Sequence, residues 1–274
     1  MILQGLDTPS FSVSVGYIIT TAVVMRLARL ILLQVVASKY YQIILLEFIA
    51  TFELLATCFE FGVVIETHGF LAYTGLMLIM FNYWGHAWKS PNFPNQSATV
   101  APHPHILDIL QRKPGLKTSL TKLFAQLTAA SLVYTVYVKP IWSLGYRITH
   151  LKRIQQAHCF THLQVSVTLG LVVEALATFA FSFAIQAFGQ RKHNFLSLPL
   201  TLVSIVYAGI TYTGCYFNPI LASTIQFGCG GITWRDHLVV YWGGPLLGSI
   251  IFEMFSKFMT NNSLLRNGNA KKFK

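Results

Sequence analysis

The chain has 274 residues, of which 54% are hydrophobic and only 11% charged, with a net charge of +11. A soluble protein needs about one-quarter charged residues to coat itself, so this composition excludes an ordinary soluble domain and makes lipid the solvent for most of the surface. The basic residues concentrate at Lys89 to Lys122, Gln190 to Lys192 and Lys257 to Lys274, between or after apolar runs, which reads as membrane topology and not as a nucleic-acid surface.

In chain order, apolar segments run at about 14–36, 42–65, 71–88, 120–142, 165–188, 196–216 and 237–258. Each is near the ~20 residues that cross a bilayer. The first carries Arg26 and Arg29 near its middle, so an interfacial helix and a true span compete there. The first dozen residues lack a basic n-region and no small-residue cleavage site follows, so this segment is expected to stay. With the other six as the core, the loops at 89–120 and 189–195 and the C-terminal tail share one face. That face collects most Lys and Arg and is expected to be cytosolic. The loop with Arg147, Lys152 and Arg153 falls opposite and departs from the rule.

Glu47-Phe-Ile-Ala-Thr-Phe52 recurs as Glu174-Ala-Leu-Ala-Thr-Phe179, a spacing of 127, which divides the core into two repeats of three spans. An odd number of spans per repeat makes the repeats inverted with respect to the membrane. Between the last two spans lies Thr211-Tyr-Thr-Gly-Cys-Tyr-Phe-Asn-Pro-Ile-Leu-Ala-Ser223, followed by a short apolar piece ending near Gly228. Asn218 is a good N-cap and Pro219 suits the first helical position, so a helix too short to span is expected here. Such a half-helix is tolerated at membrane depth where it lines a cavity. Its N-terminus aims unpaired N–H groups and the positive dipole end at the midplane. An ordinary Asn-Pro turn fits the local residues, but it leaves the apolar piece before residue 237 unexplained.

The paired Glu-x-x-Ala-Thr-Phe segments, Thr-Gly-Cys before Asn218-Pro219, and Tyr241-Trp-Gly-Gly-Pro-Leu-Leu-Gly248 together resemble the aquaporin, or major intrinsic protein, family from residue 42 onward. The variant signature Asn218-Pro219-Ile220-Leu221, with Glu47-Phe-Ile-Ala-Thr-Phe-Glu-Leu54 and the extra N-terminal segment, is similar to its unorthodox intracellular superaquaporin subfamily, the eleven and twelve types. The fold so implied is an all-α membrane bundle of six core helices in two inverted repeats plus two re-entrant half-helices, with an added N-terminal helix. The expected organisation is an N-terminal segment at 1–39, one channel domain at 40–258 with repeats at 40–146 and 163–258, and a basic cytosolic tail at 259–274.

The resemblance also implies the site. Asn218, Pro219 and Ile220 form the second pore signature, and Leu221 stands where orthodox members carry Arg. The first signature is degenerate, and Ala101, Pro102 and His103 fit it best, 117 residues before Asn218, so the Asn donor is absent in that half. Filter spacing selects Phe81, Val206, Cys215 and Leu221, an uncharged set. Glu47 and Glu174 are expected to support the pore loops and not to relay protons. Glu53 and Glu60, seven apart on a different helical face, either line a wet vestibule or face polar partners in the bundle.

His103 and His105 across one Pro are weak evidence for a metal, and no CxxC or metal-ligand spacing exists, so no cofactor is expected. A capping or gating role near the pore mouth fits the two histidines better. Cys159 and Cys229 remain open as a single bridge. Asn95-Gln-Ser97 and Asn261-Asn-Ser263 match the glycosylation pattern but face the cytosol in this topology, so neither is expected to be used. Lys271-Lys272-Phe273-Lys274 resembles a dilysine retrieval signal of the endoplasmic reticulum, or equally a basic tail attracted to anionic lipid.

The function these features support is passive conduction of water, and of glycerol or hydrogen peroxide, across an intracellular membrane by a non-enzymatic channel. Its partners are small neutral solutes and the bilayer, and the resemblance implies a homotetramer. The competing readings are a proton-coupled transporter working through Glu53 or Glu60, and a non-conducting structural membrane protein.

Overall fold

The computed structural model describes residues 11–88, 98–156, 159–188 and 196–272, with side chains as far as Thr260. The glycosylation patterns at 95–97 and 261–263, the basic residues at 190–192 and the lysines at 271–274 therefore lie outside the described residues or side chains. Helices make up nearly all of the described chain, and its extended pairing amounts to an isolated bridge between Phe160 and Gly230.

The first helix, α1 (Phe11–Val35), buries Ser14, Ile18, Thr21, Met25 and Arg29. These positions recur every three or four residues, so they form one stripe. Ile19, Val23, Leu27, Leu30 and Ile31 are exposed. The stripe is bonded along its whole length: Arg147 Nη1 donates to Ser14 Oγ (2.7 Å), Tyr17 Oη to the Ile141 carbonyl (3.2 Å), and Arg29 pairs with buried Glu53. A polar cation at mid-helix thus finds its counter-ion inside the bundle and need not reach the interface. α1 has the length and apolarity of a membrane span and runs the depth of the bundle, which favours the spanning alternative over the interfacial one.

The next helix, α2 (Lys39–Ala87), combines two expected spans, broken at Gly69 with φ 77° and ψ 179°. Only glycine enters that region cheaply. The arms at 39–68 and 70–87 fold back on one another, because the Phe61 ring meets both Tyr73 and Trp84, and Trp88 Nε1 donates to Glu53 Oε2 at 2.9 Å. A short helix α3 (His103–Leu110) follows, then α4 (Leu116–Leu132), which continues through a π-helical stretch (Val133–Val138) into α5 (Lys139–Trp142). These complete the first three spans. The second repeat comprises α7 (Val167–Phe188), α8 (Ser197–Thr213), the short α9 (Pro219–Gln226), and a last span built from α10 (Trp234–Leu238), a π-helical stretch (Val239–Gly243) and α11 (Gly244–Lys272).

Close packing explains the glycines of the last span. A Cβ on Gly248 would lie 2.2 Å from the Ala175 carbonyl oxygen, and one on Gly244 would lie 2.8 Å from Glu174 Cβ. The stripe lets α11 approach α7 backbone to backbone, the usual way helices associate in lipid.

The amphipathic α6 (Ile148–Gln155) lies on the face opposite the tail. His150 Nε2 contacts Glu60 at 3.1 Å, and Arg153 pairs with Glu66 and donates to the Gly62 carbonyl at 2.9 Å. Two of the three basic residues that broke the charge rule are thereby bonded within the protein. On the same face a disulfide joins Cys159 to Cys229, realising the bridge the sequence left open.

Candidate functional site

Two buried glutamates organise the interior. Glu174 Oε1 accepts from Thr213 Oγ1 (2.6 Å) and Tyr216 N (3.1 Å), while Oε2 accepts from Phe217 N (2.6 Å). Glu47 Oε1 accepts from Val100 N (2.7 Å), Thr99 Oγ1 (2.8 Å) and Gln126 Nε2 (2.8 Å), and Oε2 lies 3.3 Å from Lys122 Nζ. Each carboxylate thus satisfies the backbone of a loop that turns inside the membrane, where no water is available to do so.

The loops match residue for residue. Val100 and Phe217, which donate to the two glutamates, both have positive φ, 52° and 37°. Positive φ is costly for residues with a Cβ and is held only where surrounding bonds over-determine it. Ala101 and Asn218 follow, then Pro102 and Pro219, and then α3 and α9, eight residues each. Eight residues reach about 12 Å, so neither helix crosses the bilayer and their N-termini converge at mid-depth.

The convergence is a direct bond: Asn218 Nδ2 donates to the Val100 carbonyl at 2.7 Å. The same side chain caps α9, its Oδ1 accepting from Ile220 N (3.1 Å) and Leu221 N (3.4 Å). An amide nitrogen carries two hydrogens, so one remains for a passing solute. The first half-helix has Pro102 at its N-cap and no side-chain cap. In compensation its loop is tied more densely to Glu47, through Lys122, Gln126 and the contact of Thr99 Oγ1 with His105 Nε2 at 2.6 Å. Sequence reading did not assign these supporting residues. The signal available was the polar Lys122 and Gln126, four apart inside an apolar run.

A cavity of about 1890 Å³ threads the bundle past this point. Ala101, His103, Asn218, Phe81, Val206, Cys215 and Leu221 are in its wall, whereas Pro102, Pro219 and Ile220 are buried behind it. The four filter positions do not share one depth. Phe70 stacks edge-on with Tyr207 at 5.0 Å, which fixes the depth of neighbouring Val206 at the start of the second arm of α2. Phe81, eleven residues further along, is about 16 Å deeper by helical rise, packed against Trp84. Tyr73 and Met77, also in the wall, occupy the intervening turns.

Glu53 and Glu60 are absent from that wall. Glu53 is held by Arg29 and Trp88, and Glu60 accepts from Trp142 Nε1 at 3.0 Å and contacts His150, so of the two alternatives they take the bundle interior. His103 and His105 both lie buried at the start of α3, and neither caps the helix through its side chain. Among the described residues there is no group of three His, Cys, Asp or Glu side chains able to hold a metal.

Comparison with known proteins places this geometry. The family model described as major intrinsic protein matches residues 116–255, about half of the chain. Aquaporin-11 of Milnesium tardigradum is 30% identical over 246 residues, covering 89% of this chain and 87% of its own. Aquaporin-11 of Homo sapiens is 27% identical with coverage of 91% and 92%, and aquaporin-12 of Mus musculus 27% identical with coverage of 88% and 84%.

Proposed function

The chain belongs to the major intrinsic protein family, in the group of its aquaporin-11 and aquaporin-12 relatives, and from that membership we propose that it passes water together with glycerol or hydrogen peroxide across an intracellular membrane. That it is an integral membrane channel for water or small solutes, and not an enzyme, follows from the family itself.

The observation that carries the finer reading is the meeting of Asn218 Nδ2 with the Val100 carbonyl, which sets two half-helix N-termini against each other in the cavity wall. Two positive dipole ends repel cations, and the remaining Asn218 hydrogen orients a neutral solute oxygen. Val206, Cys215 and Leu221 add no charge to the wall, so an apolar surface faces the solute over most of the path, which suits glycerol and peroxide as well as water. Glu47 and Glu174 act in this reading as loop supports. Residence in the endoplasmic reticulum and homotetramer assembly complete the proposal.

Proteoliposomes assayed by stopped flow for water, glycerol and peroxide test it. Permeability above that of empty vesicles, sharply reduced by Asn218→Asp, is the expected outcome. Vesicles as tight as protein-free ones, for all three solutes, reject conduction and favour a structural role.

A further inference from the structure

Two anomalies of the sequence meet in the structure. The second signature has Leu221 where a cation is usual, and the loop opposite the tail carries an arginine that the charge rule disfavours. Arg153 is held at the wall of the cavity, 29% exposed, by Glu66 and by the Gly62 carbonyl at 2.9 Å. Its depth can be read from ring contacts. Gly62 follows Phe61, whose ring meets Tyr73 at 5.7 Å; Tyr73 meets Phe70 at 5.8 Å, and Phe70 meets Tyr207 at 5.0 Å. The guanidinium therefore sits between the turn that carries Gly62 and the reversal at Gly69, on the mouth side of the cavity, and it comes from α6 and not from the loop before α9.

The surroundings behave as the vestibule of a charged site. Glu66, Gln156 and His162 also line the cavity, and His162 Nδ1 lies 2.6 Å from Tyr216 Oη, next in the chain to Cys215. Burial first, and then the nearby Arg153 charge, hold His162 below its ordinary pKa. Glu66 is 64% exposed and screened by solvent, so it offsets the guanidinium only in part.

We infer that Arg153 is the cation of the entry vestibule, a specificity-determining residue that repels hydronium and ammonium while offering N–H donors to the oxygens of neutral solutes. The inference rests on the conducting reading above. It differs from an arginine in the signature loop in being fastened through an exposed carboxylate, so the charge at the mouth depends on that carboxylate.

The test measures ammonium entry and water permeability in the same proteoliposomes. Arg153→Gln is expected to raise the ammonium-to-water ratio about tenfold, the order expected for removing one charge near a partly hydrated path, and Arg153→Lys to keep it low. Glu66→Gln leaves the bond to Gly62 and should lower the ratio below wild type, which decides the matter should Arg153→Gln not reconstitute. A ratio unchanged in both charge-altering variants, with wild type conducting water, overturns the role of Arg153 and leaves conduction standing. A wild type that does not conduct overturns both.

Discussion

Asn218 and Val100 are 118 residues apart in sequence and 2.7 Å apart in space, joined by a single side-chain amide that also caps a helix. The two tasks can be separated. Aspartate caps as well as asparagine does, so Asn218→Asp keeps α9 while placing a carboxylate oxygen against the Val100 carbonyl. Stability in detergent should fall by about 1–3 kcal/mol, whereas water permeability should drop at least tenfold. Equal losses in both would assign Asn218 to folding alone.

The glutamates should differ in cost. Glu174→Gln keeps one acceptor and turns an amide against one of the loop N–H groups, a loss of about 1–3 kcal/mol. Glu47→Gln also strands Lys122 in the interior, which raises the loss to about 3–5 kcal/mol. Adding Lys122→Met to Glu47→Gln should recover part of it. Unfolding midpoints of the three variants check the order, and a double variant no better than Glu47→Gln would show that Lys122 has another partner.

Arg29 and Glu53 couple the added helix to the core. Arg29→Met leaves an unpaired carboxylate beside Trp88 and should destabilise strongly, while Arg29→Met with Glu53→Leu should lie near wild type, since apolar replacement of a buried pair is commonly neutral. Pulse proteolysis of the purified protein reports the difference.

Much of this was legible in the sequence. The repeated Glu-x-x-Ala-Thr-Phe picked out the two glutamates that accept the loop hydrogen bonds, and Asn218-Pro219 with the glycine at 228 marked a helix too short to span, which the structure ends at Gln226. What escaped had a physical reason. Partners such as Arg29 with Glu53, or His150 with Glu60, join elements distant in the chain, and a charge pattern does not name its counter-ion. The depth of Phe81 was set by the reversal at Gly69, and no linear spacing records how abruptly a chain turns. The π-helical stretches at Val133–Val138 and Val239–Gly243 also carry no residue signal distinct from ordinary helix.

The disulfide provides a sidedness test. An impermeant maleimide should label Cys159 and Cys229 only after reduction, and only from the face opposite the tail. Reduction should cost about 2–4 kcal/mol, typical for a link closing a long loop, read as a lower unfolding midpoint. Labelling from the tail side would invert the topology.

The reversal at Gly69 has a consequence for how the protein is seen from outside the bilayer. Because two spans join through one residue, the first connection of the first repeat adds almost no loop to the face opposite the tail. Among the described residues, that face is made of the start of α1, the reversal at Gly69, the turn 143–147, α6, the strip 159–166 and the turn 227–233. A protease, antibody or chaperone approaching from there would meet the first repeat only at this tight reversal and at the turn 143–146, and would otherwise recognise the second repeat and the helix that carries Arg153.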